Sequence, residues 1–495
     1  MNSSIGKKVT NLDHPLISFS NHPDDTWTVR DAVRGVQIFG GIGSGKTSGS
    51  GRALAMAFLR SGFGGIILTG KVDETKLWIE YAKKTGRSKD LLVFSENSKY
   101  RFNPLEYELT REGEGAGQTE NIVALFTSLA KMGNRLSGSG GGSGDDPFWD
   151  MALQRCIKAA VDLLKLSKQD ITVANMARLI REAPTGENYL YQYYELSRLA
   201  NEGNEEAYQE LNKWAQQSFA VHCMVWAESY ELKGQDLKAF EVVSSYFLSD
   251  FATLAEKTRS SIAEYFYAFA NPFRSGLLAE FFAGGTTKDI LPEVTFKGKI
   301  IILDFPVKKY LQLGIYAQAI YKRIWQQAVE VRDVKRNPVP VFMWVDEAQY
   351  FLNEEDMMFQ TTARSSKACT VMLSQNISNY YATIGGKNPK ERVNSLLGNL
   401  ATKIFHANND YVTNEWAANT IGKTFQSRTS SSVGKYDSVS VSESLNYQVE
   451  PQEFTVLLSG SVINDFDVEG VVTVAGKKWS NGKNFIKVAF NQKAI

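Results

Sequence analysis

The chain has 495 residues, 43% hydrophobic and 22% charged, enough to bury a sizeable core and to divide into two or more domains. A net charge of +1 carries no overall signature of a nucleic-acid binder, and three cysteines far apart in sequence offer neither a disulfide framework nor metal-ligand spacing. Met1 to Thr10 lacks the apolar core of a signal peptide, and no apolar run approaches the roughly 20 residues that span a bilayer, so a soluble protein is expected.

The first informative element is an apolar run from Val36 to Phe39, followed by Gly40-Gly41-Ile42-Gly43-Ser44-Gly45-Lys46-Thr47-Ser48 and a helix-prone segment from Ala53 to Arg60. This is GxxxxGK[ST] in the strand-loop-helix context that a phosphate-binding loop requires. A glycine-rich turn before a helix also serves ordinary packing, but here all the parts are present. Glycines let consecutive N–H groups turn inward around phosphates, and the helix start adds a favourable dipole. Lys46 would reach the β- and γ-phosphates, and the Thr47 hydroxyl would ligate magnesium. The expected cofactors are therefore ATP and Mg2+, held by residues 40–48.

Strand-like runs at Gly65 to Thr69 and Leu91 to Phe94 alternate with helical patterns, the signature of a mostly parallel sheet covered on both faces. From about Arg111 to Gly285 the alternation stops and the chain reads as helix after helix: Asn121 to Lys131, Trp149 to Leu166, Tyr189 to Leu199 and Glu206 to Phe219. The Gly/Ser run at 137–144 has the composition of a flexible linker. Tyr189, Tyr191, Tyr193, Tyr194, Trp214 and Trp226 would stack on single-stranded DNA or, more commonly for such residues, pack a core or an interface. Strands resume at Lys299 to Phe305, Val339 to Asp346, Cys369 to Ser374 and Thr402 to His406. The expected fold is α/β: a P-loop nucleotide-binding domain with a mostly parallel sheet, its first part in 1–110 and its second in 286–495, interrupted by an all-α insertion at 111–285.

The run Val339 to Val345 ends in Asp346 and Glu347. A continuous apolar run reads as a strand buried on both faces, and carboxylates at its C-terminal end emerge where open α/β sheets bind ligands. Asp346 would hold the magnesium and Glu347 would polarise the attacking water. Gln375, at the tip of the next strand, would sense the γ-phosphate or orient water; it also reads as a polar strand end. Arg364 lies eleven residues earlier and would reach a neighbouring subunit's site, where a guanidinium stabilises charge on the transferring phosphoryl group; it also reads as a surface arginine.

With these residues the chain resembles the type IV secretion coupling proteins, the conjugative DNA-transfer ATPases of the TraG/TraD type, within the hexameric DNA-pumping ATPases. The resemblance rests on GGIGSGKT (40–47), FNPLE at Phe102 to Glu106, DPFWD at Asp146 to Asp150, WVDEAQYF at Trp344 to Phe351, LSQN at Leu373 to Asn376, and the Ser-rich stretch from Gln426 to Ser444 before EFTVLLSG. It implies a RecA-like ATP hydrolase in which Lys46, Glu347, Gln375 and a trans Arg364 are catalytic. It also carries a weaker nucleotide-site role to Arg34, just before the P-loop strand. The implied task is to receive a relaxase-bound DNA strand, single-stranded by expectation, and to feed it to a secretion channel. The implied partners are DNA, a relaxase or other secreted substrate, channel components or a membrane-anchored partner, and further copies of the chain in a hexamer. Two departures stand out: no N-terminal membrane hairpin is visible, and Thr69-Gly70-Lys71-Val72-Asp73-Glu74 replaces a DPKGE-like turn, so no role is carried to Lys71 or Asp73. The expected location is cytoplasmic, or peripheral at the inner face of the cell membrane. Two other readings stay open, a DNA-processing or packaging motor and an ATP switch that recruits substrates without pumping.

Overall fold

Short apolar runs rich in β-branched and aromatic side chains build the centre of the fold. The computed structural model describes residues 8–113, 115–136, 147–385, 387–432 and 438–493. In chain order the strands are β1 (Pro15–Ser18), β2 (Thr26–Thr28), β3 (Val36–Phe39), β4 (Gly64–Leu68), β5 (Leu91–Ser95), β6 (Ile300–Asp304), β7 (Val341–Val345), β8 (Ala368–Ser374), β9 (Thr402–Phe405), β10 (Lys423–Ser432), β11 (Ser438–Tyr447), β12 (Asp467–Val474) and β13 (Phe485–Asn491). Nine of them form one sheet in the order β13-β12-β9-β3-β8-β7-β4-β6-β5. The seven from β9 to β5 are parallel, and β12 and β13 add an antiparallel edge. The pairs β1/β2 and β10/β11 are separate antiparallel hairpins.

Helices cover the sheet because the parallel strands are apolar on both faces: β3, β4, β7, β8 and β9 are buried at every residue. One face carries an aromatic cluster in which Trp78 stacks on Phe342 (5.8 Å) and meets Trp344 edge-on (5.2 Å), with Phe58 5.6 Å from Phe342. Rings in such arrangements gain about 0.5–1.5 kcal/mol each beyond their buried area.

The described residues divide into two compact units. One is drawn from Met1–Ser95, Pro292–Leu311 and Trp325–Ile495, and the other from Glu96–Leu291 and Gln312–Ile324. The helical run Val307–Glu330, interrupted at Leu311 (φ 51°), contributes to both. The helical unit thus takes in a segment, 312–324, that lies far along the chain from the rest of it.

Within the helical unit, two of the family-like segments are helix starts. In FNPLE, the Asn103 side chain accepts from the N–H groups of Leu105 and Glu106 and Pro104 takes the first helical turn, while Phe102 is buried against Tyr321. In DPFWD, Pro147 opens the helix Pro147–Leu166, and Asp150 pairs with Lys131 at 3.0 Å and accepts from Tyr265 Oη at 3.0 Å. The Gly/Ser stretch at 137–144 lies outside the described residues. The tyrosine-rich segment forms the helix Tyr189–Asn201, in which Tyr193 is buried and Tyr191 is exposed, so its aromatic rings divide between packing and surface. Among the described residues no helix is long and apolar enough to cross a membrane.

Candidate active site

Four parallel strands, β3, β8, β7 and β4, are adjacent, so the loops leaving their C-terminal ends open on one edge of the sheet. That edge is where open α/β sheets bind ligands. The loop after β3 carries Gly40 to Lys46, with Gly43 and Gly45 at φ 72° and 81°, backbone that a β-carbon would strain. At Gly45 a β-carbon would also lie 2.5 Å from the Val468 side chain. Thr47–Gly51 is a single π-helical turn leading into the helix Arg52–Arg60, and such turns recur at functional sites.

Lys46 is buried at 6% exposure, and Thr47 Oγ1 donates to Asp346 Oδ2 at 3.1 Å, joining the β3 loop to the end of β7. Glu347 follows in the left-handed region (φ 48°), and both of its carboxylate oxygens are engaged. Oε1 pairs with Lys71 Nζ at 2.8 Å, and Oε2 accepts from Gln349 Nε2 at 2.8 Å and Gln375 Nε2 at 3.4 Å. Gln375 is set in place from behind, since its carbonyl accepts from Asn408 Nδ2 at 2.8 Å. One edge therefore brings together Lys46, Thr47, Asp346, Glu347 and Gln375.

The electrostatics follow from burial and mutual charge. Burial lowers the Lys46 ammonium's pKa, against the pull of Asp346 and Glu347, and an arriving phosphate would favour its charged form further. Burial also dominates at Asp346 and holds its carboxyl above the usual range despite Lys71 and Lys46. At Glu347 burial acts upward, but the bonds from Lys71 and Gln349 outweigh it and the net shift is downward. Burial likewise opposes the charge on Lys71, yet the carboxylates of Asp346, Glu347 and Glu74 raise it on balance.

These groups fit a magnesium nucleotide. Ser44 Oγ is buried without a hydrogen-bond partner, a donor of the kind a phosphate oxygen satisfies. A cleft of about 450 Å³ opens beside the loop, lined by residues including Gly41, Ile42, Gly43, Ser44, Gln375 and Asn408. The side chain of Ile42 points to solvent, so at that position only the backbone serves the loop's cradle, and Ser48 Oγ accepts from Gln492 Nε2 at 2.7 Å.

The two arginines stand apart. Arg364 is exposed, between the helix Glu354–Thr362 and the N-terminal end of β8. The seven residues of β8 separate it from the site by about 23 Å at roughly 3.3 Å per residue, so it does not reach the Lys46 loop of its own chain. Arg34 precedes β3 and lies on that same far edge, where its carbonyl accepts from Ala401 N–H at 2.8 Å. The fold does not bring it to the loop of its own chain either.

Sequence reasoning missed Lys71 and Gln349, which bond Glu347, Glu74, which fixes the turn that carries Lys71, and His406, which lies beneath the loop. The available signal for the first was the lysine kept at the third position of the turn after β4. His406 Nδ1 lies 2.7 Å from the Glu469 carbonyl, which only accepts, so Nε2 is left to accept from Ser50 Oγ at 2.6 Å. Nothing in a lone histidine signals this role.

Residues 340–467 match the family described as the TraM recognition site of TraD and TraG, a span that holds Asp346, Glu347, Arg364 and Gln375 but not the Lys46 loop. No curated protein sequence matches the chain. Among solved structures, the bacterial conjugative coupling protein TrwBdeltaN70 in its unbound monoclinic form is similar at 12% identity and TM-score 0.55, over 99% of this chain and 90% of that one. The plasmid coupling protein TrwB in complex with the ATP analogue ADPNP is similar at 12% identity and TM-score 0.56, over 99% and 97% of the two chains. TrwB in complex with ADP and Mg2+ gives 11% identity and TM-score 0.55, over 99% and 96%. At such identities the likeness is one of fold, so the chain has the fold of TrwB along its length, and residues 340–467 match the family model of TraD and TraG.

Proposed function

We propose that this chain is an ATP hydrolase that drives DNA transfer, a coupling protein that receives a relaxase-bound DNA strand and delivers it to a type IV secretion channel. The observation that carries the reading is the 3.1 Å contact of Thr47 with Asp346 beside buried Lys46. A hydroxyl and a carboxylate from two neighbouring loops form the seat that a nucleotide's magnesium needs, and the ion supplies charge neutralisation on the β- and γ-phosphates. Lys46 and the N–H groups of residues 40–48 hold the phosphates. Glu347 takes the proton of the attacking water, and Gln375, hydrogen-bonded to Glu347, orients that water.

Arg364 then serves the site of a neighbouring copy, which makes the working species a homo-oligomer, a hexamer by analogy. Its exposure on the far edge supports a trans role, and Arg34 is assigned to the same subunit boundary. The roles of DNA, a relaxase and a channel come from the resemblance to the type IV secretion coupling proteins, which the fold likeness to the conjugative coupling protein TrwB and the match of residues 340–467 support. Attachment at the inner face of a membrane would come through a partner.

ATP hydrolysis by the full chain, measured with and without single-stranded DNA alongside solution mass, tests the reading. Magnesium-dependent hydrolysis that rises with DNA, in a species of several copies, is expected. No hydrolysis under either condition overturns the reading, and hydrolysis indifferent to single-stranded DNA overturns the motor while leaving the ATPase.

A further inference from the structure

The turn after β4 is built to deliver one ammonium to Glu347. Glu74 is buried, and its carboxylate accepts from the N–H groups of Gly70 at 2.9 Å and Lys71 at 3.3 Å, which fixes the backbone from which Lys71 projects. Thr69 Oγ1 donates to the Leu303 carbonyl at 2.8 Å and ties the same turn to β6. A β-carbon at Gly70 would stand 3.0 Å from Glu347 Cβ and 3.2 Å from its Cγ, so glycine lets the two segments close. Glu347, at φ 48°, occupies backbone that a non-glycine residue keeps only when its surroundings over-determine it. The Lys71 contact at 2.8 Å is the charged part of that restraint.

We propose that Lys71 is a positioning residue for Glu347: its ion pair holds Oε1 and so orients the carboxylate that accepts the water proton. The inference rests on the hydrolytic reading above. Lys71 acts through Glu347 and does not bind the nucleotide.

Steady-state ATP hydrolysis by Lys71→Ala, Lys71→Arg, Glu347→Gln and the Lys71→Ala/Glu347→Gln double variant tests it, with affinity for a non-hydrolysable ATP analogue measured on each. A well-placed general base contributes about 100- to 10,000-fold, so misplacing it in Lys71→Ala should lower kcat by about 10-fold or more. KM and analogue affinity should stay at the wild-type values, which also shows the site is folded. Lys71→Arg should recover part of the loss, and the double variant should be no slower than Glu347→Gln alone. Wild-type or raised kcat in Lys71→Ala overturns the inference. So does a matching loss of analogue affinity, or a further drop in the double variant, since either puts Lys71 on the nucleotide. An inert wild type removes the hydrolytic reading and this inference together, whereas an active wild type with a fully active Lys71→Ala removes this inference alone.

Discussion

The two edges of the large sheet handle buried charge in opposite ways. At the C-terminal edge, cations face carboxylates: Lys71 on Glu347, and Lys46 beside the Asp346 that Thr47 bonds. At the N-terminal edge, cations mostly cap backbone carbonyls. Arg332 donates to Ser366 and Val339 just ahead of β8 and β7, Arg87 to Leu59, Phe63 and Gly298 ahead of β4 and β6, and Lys403 to Leu400 ahead of β9. Carbonyl-capped cations fix loops; Arg87 also pairs with Asp90 at 2.6 Å, whereas for Arg332 and Lys403 burial dominates and depresses them to about 10 and about 8. At the C-terminal edge Lys46 can turn to an arriving phosphate while Lys71 keeps its carboxylate. The C-terminal edge is a site with charge left to redistribute, and the N-terminal edge is a structural seam.

The sharpest way to separate the edges is to alter one charge on each. Glu347→Gln should bind nucleotide yet hydrolyse it about 100- to 10,000-fold more slowly in a steady-state assay, with thermal unfolding close to that of the wild type. Arg332→Ala should do the reverse, lowering stability in urea unfolding by about 2–4 kcal/mol because buried carbonyls lose their donor. The unfolding cost should exceed any change in ATP affinity.

Lys403 in β9 and His406 just after it place one buried titrating group toward each edge, and their pH windows differ. Burial holds His406 down at about 4. Between the ordinary value near 6.5 and about 4, the unfolded chain takes up a proton that the folded one refuses, so stability falls as pH drops through that window. The loss relative to His406→Gln should reach about 2–3 kcal/mol by linkage, read as the pH dependence of urea unfolding. Lys403, held at about 8, gives a penalty that is full below that pH and is relieved as pH rises toward 10.5. Stability relative to Lys403→Met should therefore rise across pH 8 to 10.5, by at most about 3 kcal/mol.

The sheet was legible where apolar runs are continuous and end in loop residues, as at Val36 to Phe39 and Val341 to Val345, because burial on both faces leaves that pattern in the sequence. The antiparallel edge was not. In β13 buried and exposed residues alternate, and its pairing with β12 depends on tertiary contacts that no local pattern encodes. At the site, Lys46, Thr47, Asp346 and Glu347 were readable because fixed spacing and strand ends dictate their chemistry. Lys71 was passed over because the turn around it departs from the DPKGE-like form, yet Gly70 and Glu74 rebuild the same delivery of the lysine by other means. The far-edge positions of Arg34 and Arg364 follow from the direction of β3 and β8 alone, since both residues precede the strands whose C-terminal ends carry the site.

The account turns on magnesium and triphosphate meeting at the Lys46 loop. A crystal structure of the full chain with ADPNP and Mg2+ tests this directly. The account predicts phosphates wrapped by residues 40–48, with the metal in the shell of Thr47 Oγ1 at roughly 2.0–2.1 Å and Asp346 bound to it directly or through water. Nucleotide bound elsewhere, or a metal held away from both Thr47 and Asp346, would contradict it.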